Sequence, residues 1–189
     1  MQERISIRIQ PLQKLMFADV QRVLCGYSSS RKYAITRTET ATGLTFELRL
    51  VSLDTPYVKA PEQVTPDMLA RYEALLPKGY SFGAYDDARL VGLILAEPVR
   101  WNKSINVCEF HVLAAYQQKG IGKRLMQCIV DKANAAGERI IVCETQNTNV
   151  PAINVYHRLG FHIEAVDISY YSNSDFPEGE MAVFMKQRL

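Results

Sequence analysis

The chain has 189 residues and a mass of 21.4 kDa, the size of one compact domain with room for an N-terminal extension. Its 48% hydrophobic and 22% charged residues, with 10 Tyr, 7 Phe and one Trp, exclude a chain dominated by disorder. With 22 Lys and Arg against 20 acids the net charge is +2, too small and too dispersed for a general nucleic-acid or membrane-surface binder.

The N-terminus alternates apolar and polar residues and does not read as a secretory signal. No run approaches the roughly 18 apolar residues of a membrane span, so a cytoplasmic protein is expected. Within residues 4–9, Ile5, Ile7 and Ile9 recur with period two and predict a strand. Residues 12–24 place Leu12, Leu15, Met16, Val20, Val23 and Leu24 near helical spacing, and Ser28-Ser29-Ser30 then breaks the pattern. A strand is predicted over 45–53, followed by an irregular connection marked by Pro56, Pro61 and Pro66. Residues 67–76 predict a short helix ended by Pro77 and Gly79.

From there the pattern is regular. Residues 80–85 and 89–97 predict a hairpin about Asp86-Asp87, the second strand holding the longest apolar run, 90–96. Another strand is predicted over 105–113. Gly120 opens a helix to about residue 136, with Ile121, Leu125, Cys128, Ile129 and Ala133 as its apolar stripe and Gly137 as its end. Residues 140–143 suit a strand buried on both faces. Pro151 lies in the first turn of a helix that Gly160 closes, and strands over 162–170 and 180–186 flank the turn-rich residues 172–179. Together these predict an α/β (α+β) domain with a mixed sheet. The widely spaced Cys25, Cys108, Cys128 and Cys143 read as free thiols, the last three among core-type neighbours and expected to be buried. His111, His157 and His162 show no ligand spacing with them, so no metal is expected.

The most informative segment is Tyr116 to Leu125, Y-Q-Q-K-G-I-G-K-R-L. Glycines between a strand end and a helix let backbone N–H groups face an anion, and the helix N-terminus adds its positive dipole end. Lys119, Lys123 and Arg124 bring positive charge, so the turn suits a pyrophosphate. A P-loop requires Ser or Thr after the lysine, where Arg124 stands; a dinucleotide fingerprint requires a third glycine, where Leu125 stands. A tight strand-to-helix turn with no ligand accounts for the glycines equally.

The pattern Gln117-x-x-Gly120-x-Gly122 resembles the acyl-CoA pyrophosphate loop of the GNAT superfamily of N-acetyltransferases. Upstream, V-C-E-F-H-V at 107–112 resembles that family's fourth strand. Downstream, Asn149-x-x-Ala152-x-x-x-Tyr156-x-x-x-Gly160-Phe161 resembles its second signature. Within the family, C-E-T-Q-N-T-N-V-P-A-I-N-V-Y-H-R-L-G-F is similar to the streptothricin and nourseothricin acetyltransferases. Trp101-Asn102, F-E-L-R-L-V-S-L-D-T-P-Y-V-K, Asp167 and Gly179-Glu180 add to the likeness, which spans about 33–189. Gln117-Gln118 departs from the usual Arg or Gln followed by Gly, and Phe110-His111 stands where aliphatic residues are commoner.

The resemblance implies a GNAT fold: a mixed, mostly antiparallel central sheet flanked by helices, with the family's strands 4 and 5 splayed. It implies a single N-acetyltransferase domain over 1–189, with residues 78–189 as the acetyl-CoA-binding core and 1–30 unplaced. Acetyl-CoA would be the co-substrate, and its acetyl group would pass directly to a primary amine. Gln117, Gln118, Lys119, Gly120, Ile121, Gly122 and Lys123 would hold the pyrophosphate. Val112 and Leu113 would offer backbone groups to the pantetheine, with Asn149 and Ala152 alongside; Asn149 reads equally as a helix N-cap. Tyr156 would be the acid that protonates the leaving thiolate, or else a core tyrosine on an apolar helix face. Glu109 would be the base, or else a solvated edge glutamate; strict alternation gives it the face of Val107 and His111, and His111 is the substitute base. Trp101, Glu109, Asp167 and Glu180 would meet the acceptor.

From Leu159 to Met185 there is no Lys or Arg but five acids, Glu164, Asp167, Asp175, Glu178 and Glu180. That field suits a small cationic amine, with Tyr170 and Tyr171 as cation–π faces, and reads otherwise as a solvated acidic turn. The acceptor expected from the resemblance is a streptothricin-type antibiotic. A polyamine, amino sugar or protein amine is the alternative, and a non-catalytic acyl-CoA-binding module a third reading that retention of Glu109 and Tyr156 opposes. Both a monomer and a homodimer are compatible with the sequence.

Overall fold

A computed structural model describes residues 6–189, so Arg4 and Ile5 of the strand expected over 4–9 lie outside the described residues. In chain order the elements are β1 (Ile7–Pro11), α1 (Phe17–Val23), β2 (Tyr27–Thr40), β3 (Gly43–Lys59), α2 (Pro66–Glu73), β4 (Tyr80–Asp86), β5 (Arg89–Val99), β6 (Ser104–Val112), α3 (Ile121–Ala135), β7 (Ile140–Gln146), α4 (Val150–Arg158), β8 (His162–Asp167) and β9 (Ala182–Arg188). They fall into two compact units.

The first unit takes the described residues up to Gly26, Ala60–Cys143 and Gln187–Leu189. Its strands run β1-β4-β5-β6-β7, antiparallel as far as β6 and parallel between β6 and β7. The apolar run 90–96 on β5 is buried along its whole length, as a central strand covered on both faces must be. On the Leu93 and Leu95 face lies a core of Leu12, Leu15, Val20, Val23, Leu24, Val64, Met68 and Tyr72. The opposite face, with Phe110 and Val112 of β6, meets α3: a Cβ on Gly122 would stand 3.2 Å from Phe110 Cζ. The parallel ladder comprises four pairs, from Ser104–Ile140 to Val107–Cys143, while β6 continues to Val112.

Within this unit the helix expected over 12–24 shortens to α1. Leu12 and Leu15 are buried without being helical, and the Leu12 N–H donates to the Ser81 carbonyl beside β4 (2.9 Å). Core packing accounts for the apolar spacing that suggested a helix. α2 begins as its sequence dictates, with Thr65 accepting the Met68 N–H and Pro66 in the first turn.

A bulge in β6 corrects the expected alternation. Glu109 pairs with Leu95 and Val107 with Ala96, leaving Cys108 as the extra residue. Partners share a face and neighbours alternate, so Glu109 and Val107 point to opposite faces; Glu109 joins His111, Leu93 and Leu95. Cys108 is consequently exposed rather than buried. Cys25 and Cys128 are half-buried, and of the four thiols Cys143 is the buried one.

The second unit takes Tyr27–Lys59 and Glu144–Lys186. Its ribbon of β2 and β3 overruns the strand expected over 45–53 at both ends, and β2 absorbs the three serines read as a breaker. Ladder pairing over more than ten residues overrides weak local propensity. Pro56 falls inside β3, at the register shift between Tyr57 opposite Ser29 and Ser52 opposite Arg31, where a missing N–H costs no ladder bond. β9 lies between the C-terminal end of β7 and β8, and α4 packs on β2. β8 ends at Asp167, short of the expected residue 170, because the Asp167 carboxylate accepts the Ser169 N–H (3.0 Å) and turns the chain.

Candidate active site

The first unit holds the strand, the turn and the helix start expected to bind the cofactor. The Leu113 N–H donates to Val91 (2.9 Å) with Gly92 opposite Val112, a pattern that turns the Val112 N–H and carbonyl away from β5. Leu113 is engaged twice, its carbonyl also accepting the Tyr116 N–H (2.8 Å), so Val112 is the outward-facing backbone of the expected pair. The Val112 carbonyl accepts Gln117 Nε2 at 2.9 Å, which folds the turn back on the strand end.

Gln118 and Gly120 both take positive φ, +60° and +77°, before α3 begins at Ile121. The first intrahelical bond runs from the Arg124 N–H to the Gly120 carbonyl, so the preceding N–H groups have no intrahelical acceptor. A Cβ on Gly120 would meet nothing within 4 Å. Open space over a helix N-terminus flanked by Lys119 and Lys123 fits a pyrophosphate. Arg124 does not join them, because its guanidinium donates to the Ile7 carbonyl of β1 (3.0 Å). Lys119 lies 5.2 Å from the centre of the Tyr116 ring, whose hydroxyl is anchored on Asp86 (2.6 Å).

On the other face of β6, Glu109 is half-buried and is not isolated. Its Oε1 accepts the Tyr72 hydroxyl hydrogen at 2.6 Å, and its Oε2 lies 2.9 Å from His111 Nε2. The Tyr72 pKa is raised by burial and by the neighbouring Glu109 charge. For His111, burial lowers the pKa, but hydrogen bonds with Cys25 and Glu109 and the Glu109 charge outweigh it and carry the value up to about 9. Tyr72 stands 37 residues before Glu109 on an unremarkable helix, and only the tertiary fold reveals it. Trp101 does not join this cluster. It is 86% exposed on the turn before Ser104, at the opposite end of β6 from Val112.

The second unit carries the remaining candidates. Asn149 caps α4, accepting the Ala152 N–H at 3.2 Å, so its N-cap role is realised. One turn on, Tyr156 is 8% exposed with its ring 5.7 Å from that of Phe161. Glu180 is already partnered: Lys59 forms a salt bridge to Oε2, while the Tyr27 and Thr148 hydroxyls both donate to Oε1 at 3.0 Å. Its pKa is lowered, burial being outweighed by the Lys59, Tyr27 and Thr148 hydrogen bonds. Asp175 is buried and holds its loop, accepting the Tyr171 N–H (2.7 Å) and the Ser172 hydroxyl (2.5 Å). The acidic field is therefore weaker than its sequence count, because Lys59 of β3 neutralises one member and Asp175 is structural. Tyr170 stacks edge-on against Tyr171 and Phe184, at 5.2 and 5.4 Å, and the Tyr171 hydroxyl donates to Glu144.

Residues 47–161 match the Acetyltransferase (GNAT) family. The chain belongs to that family and is an acyltransferase. It is 32% identical over 146 residues to the streptothricin acetyltransferase of Streptomyces lavendulae, covering 76% of this chain and 77% of that one. Its fold matches the crystal structure of nourseothricin acetyltransferase with a TM-score of 0.72 at 26% identity, over 96% and 98% of the two chains. A Bacillus anthracis str. Ames protein assigned as a streptothricin acetyltransferase, solved with acetyl coenzyme A, matches equally in TM-score (0.72) over 98% of both chains. At 20% identity, that likeness bears on the fold alone.

Proposed function

We propose that the protein transfers the acetyl group of acetyl-CoA to a primary amine of a small cationic acceptor, a streptothricin-type antibiotic, in the cytoplasm. The observation that carries the cofactor is the open space at Gly120, over the N-terminus of α3 and between Lys119 and Lys123. Acetyl-CoA supplies an acetyl thioester, an acyl group on a good leaving thiolate. Gln117 to Lys123 hold its pyrophosphate, the outward N–H of Val112 polarises the thioester carbonyl, and Asn149 and Ala152 flank the pantetheine. Residues 1–189 act as one acetyltransferase domain, with 78–189 as the cofactor-binding core.

An ammonium group with pKa near 10.4 leaves roughly one amine in a thousand nucleophilic at neutral pH, so a proton must first be removed. Glu109 takes that proton at a carboxylate oxygen. Tyr156, protonated at pH 7, gives its phenolic proton to the departing sulfur. No acyl-enzyme is required, and transfer is direct.

The 32% identity to a streptothricin acetyltransferase over three quarters of the chain supports the acceptor. The pairing of Glu180 with Lys59 favours a second reading, a less cationic amine such as an amino sugar or a protein amine. Thiol release from acetyl-CoA, measured against streptothricin, a polyamine, an amino sugar and a lysine peptide, separates the two. A kcat/KM for streptothricin at least tenfold above the others is expected. Equal turnover of all four would overturn the antibiotic reading, and no turnover of any would leave a binding module.

A further inference from the structure

Three polar side chains, Tyr72, Glu109 and His111, meet where the first unit is otherwise apolar, against Leu93, Leu95, Val20, Val23 and Met68. Packing does not require them, since apolar residues of similar volume in place of a buried polar network are often neutral or stabilising. They form a directed arrangement in which Glu109 is the sole carboxylate and both of its oxygens face a donor. Tyr72 reaches Oε1 from α2, and its phenol cannot serve another role there without abandoning that 2.6 Å bond. His111 reaches Oε2 from two residues along the same strand.

The identity of the His111 donor follows from its other nitrogen. The Cys25 backbone N–H aims at Nδ1 from 3.5 Å and selects the neutral tautomer with hydrogen on Nε2. The imidazolium also carries that hydrogen, so Nε2 donates to Glu109 in either state. The pairings Leu95–Glu109 and Leu93–His111 put the carboxylate and the imidazole on one face of the sheet, and the bulge at Cys108 sends Val107 to the other.

We propose that Tyr72 and His111 are positioning residues for the transfer step, fixing the plane of the Glu109 carboxylate so that its remaining lone pairs take the amine proton. The inference rests on the reading of Glu109 as the base. The step it serves moves one proton from the amine nitrogen to a Glu109 oxygen, and neither Tyr72 nor His111 gains or loses one. Charged and titratable groups facing the cluster are Glu62 and Arg71 beside Tyr72 and Cys25 beside His111.

The test is a mutant cycle on the full chain: Tyr72→Phe, His111→Asn, Glu109→Gln, and each of the first two combined with Glu109→Gln. kcat and KM are followed from pH 5.5 to 9.5, with acetyl-CoA affinity by calorimetry as the check on folding. Tyr72→Phe and His111→Asn should each lower kcat about tenfold, as expected for one hydrogen bond to a charged group. They should leave KM for the amine and the acetyl-CoA affinity unchanged. In the Glu109→Gln background neither should lower kcat further. If Glu109→Gln lowers kcat but neither partner variant does, positioning is wrong while the base reading stands. Equal losses with and without Glu109 would make Tyr72 and His111 structural, which also overturns the proposal. If Glu109→Gln is itself without effect, the base reading fails and takes the proposal with it. Should Tyr72→Phe not fold, His111→Asn alone distinguishes these outcomes, because the two donors act on different oxygens.

Discussion

Replacing Gly120 by valine separates the two tasks of the turn before α3. The backbone there sits at φ +77°, a region that costs an L-residue about 1–2 kcal/mol and suits β-branched side chains least. No protein atom lies within 4 Å of the position a Cβ would take, so the fold itself is not obstructed. A loss of about 1–2 kcal/mol lowers Tm by only a few degrees in a chain of this length. If the pyrophosphate sits in that open space, the isopropyl group takes its place beside the helix N–H groups. Losing one or two charge-assisted bonds of about 1.5–3 kcal/mol each should weaken acetyl-CoA binding by ten- to a thousandfold or more. Gly122→Ala is the control. Its Cβ would press on Phe110 Cζ at 3.2 Å, and a helix-propensity gain of up to about 1 kcal/mol opposes that strain. It should change Tm slightly and acetyl-CoA Kd by less than about threefold. Calorimetry and thermal melting on both variants decide the matter: a folded Gly120→Val chain that binds acetyl-CoA with wild-type affinity refutes the assignment of this turn.

Tyr156→Phe should lower kcat and leave the acetyl-CoA Kd nearly unchanged, since only the departing sulfur loses its proton donor; undiminished turnover would return Tyr156 to a packing role beside Phe161. If Glu180 binds an acceptor ammonium, Lys59 competes with it. Lys59→Met should then lower KM for a cationic acceptor and Glu180→Gln raise it, Lys59→Met at a stability cost of about 1 kcal/mol for a partly exposed, solvent-screened pair. A KM indifferent to both substitutions and to salt would remove Glu180 from the acceptor site. Because the folded pKa of His111 is raised from 6.5 to about 9, its contribution is full below pH 6.5 and is lost as pH rises through 9. Urea titrations across this window should show stability falling with pH in the wild type and less so in His111→Asn; parallel curves would contradict the shift.

The sequence reveals elements best where local chemistry and tertiary demand agree. α3 starts and stops where Gly120 and Gly137 place it, and the β4–β5 hairpin turns at Asp87, which takes φ +51°. Periodicity misleads where apolar residues pack without being helical, as at Leu12 and Leu15, and where a long partner strand recruits serines, as in β2. The Asn149 cap is legible because cap and signature share one residue. Lys59 against Glu180 is not legible, since 121 residues separate them and nothing local marks either as half of a pair.

One inserted residue in β6 determines which neighbours share a face with Glu109. Alternation alone sends Glu109 to the Val107 side, and the sequence holds no local signal, neither glycine nor proline, that the ladder slips at Cys108. The slip leaves Cys108 exposed. Beyond the slip, Glu109 reaches Tyr72 and His111, while Phe110 and Val112 take the face that receives Gly122 and α3. The same strand therefore offers a carboxylate on one face, packs α3 on the other, and presents the outward backbone of Val112 at its end. On the proposed reading, proton removal at Glu109 and carbonyl polarisation at Val112 lie close together at the end of one strand, and the regular alternation of residues 109–112 beyond the bulge puts them on separate faces.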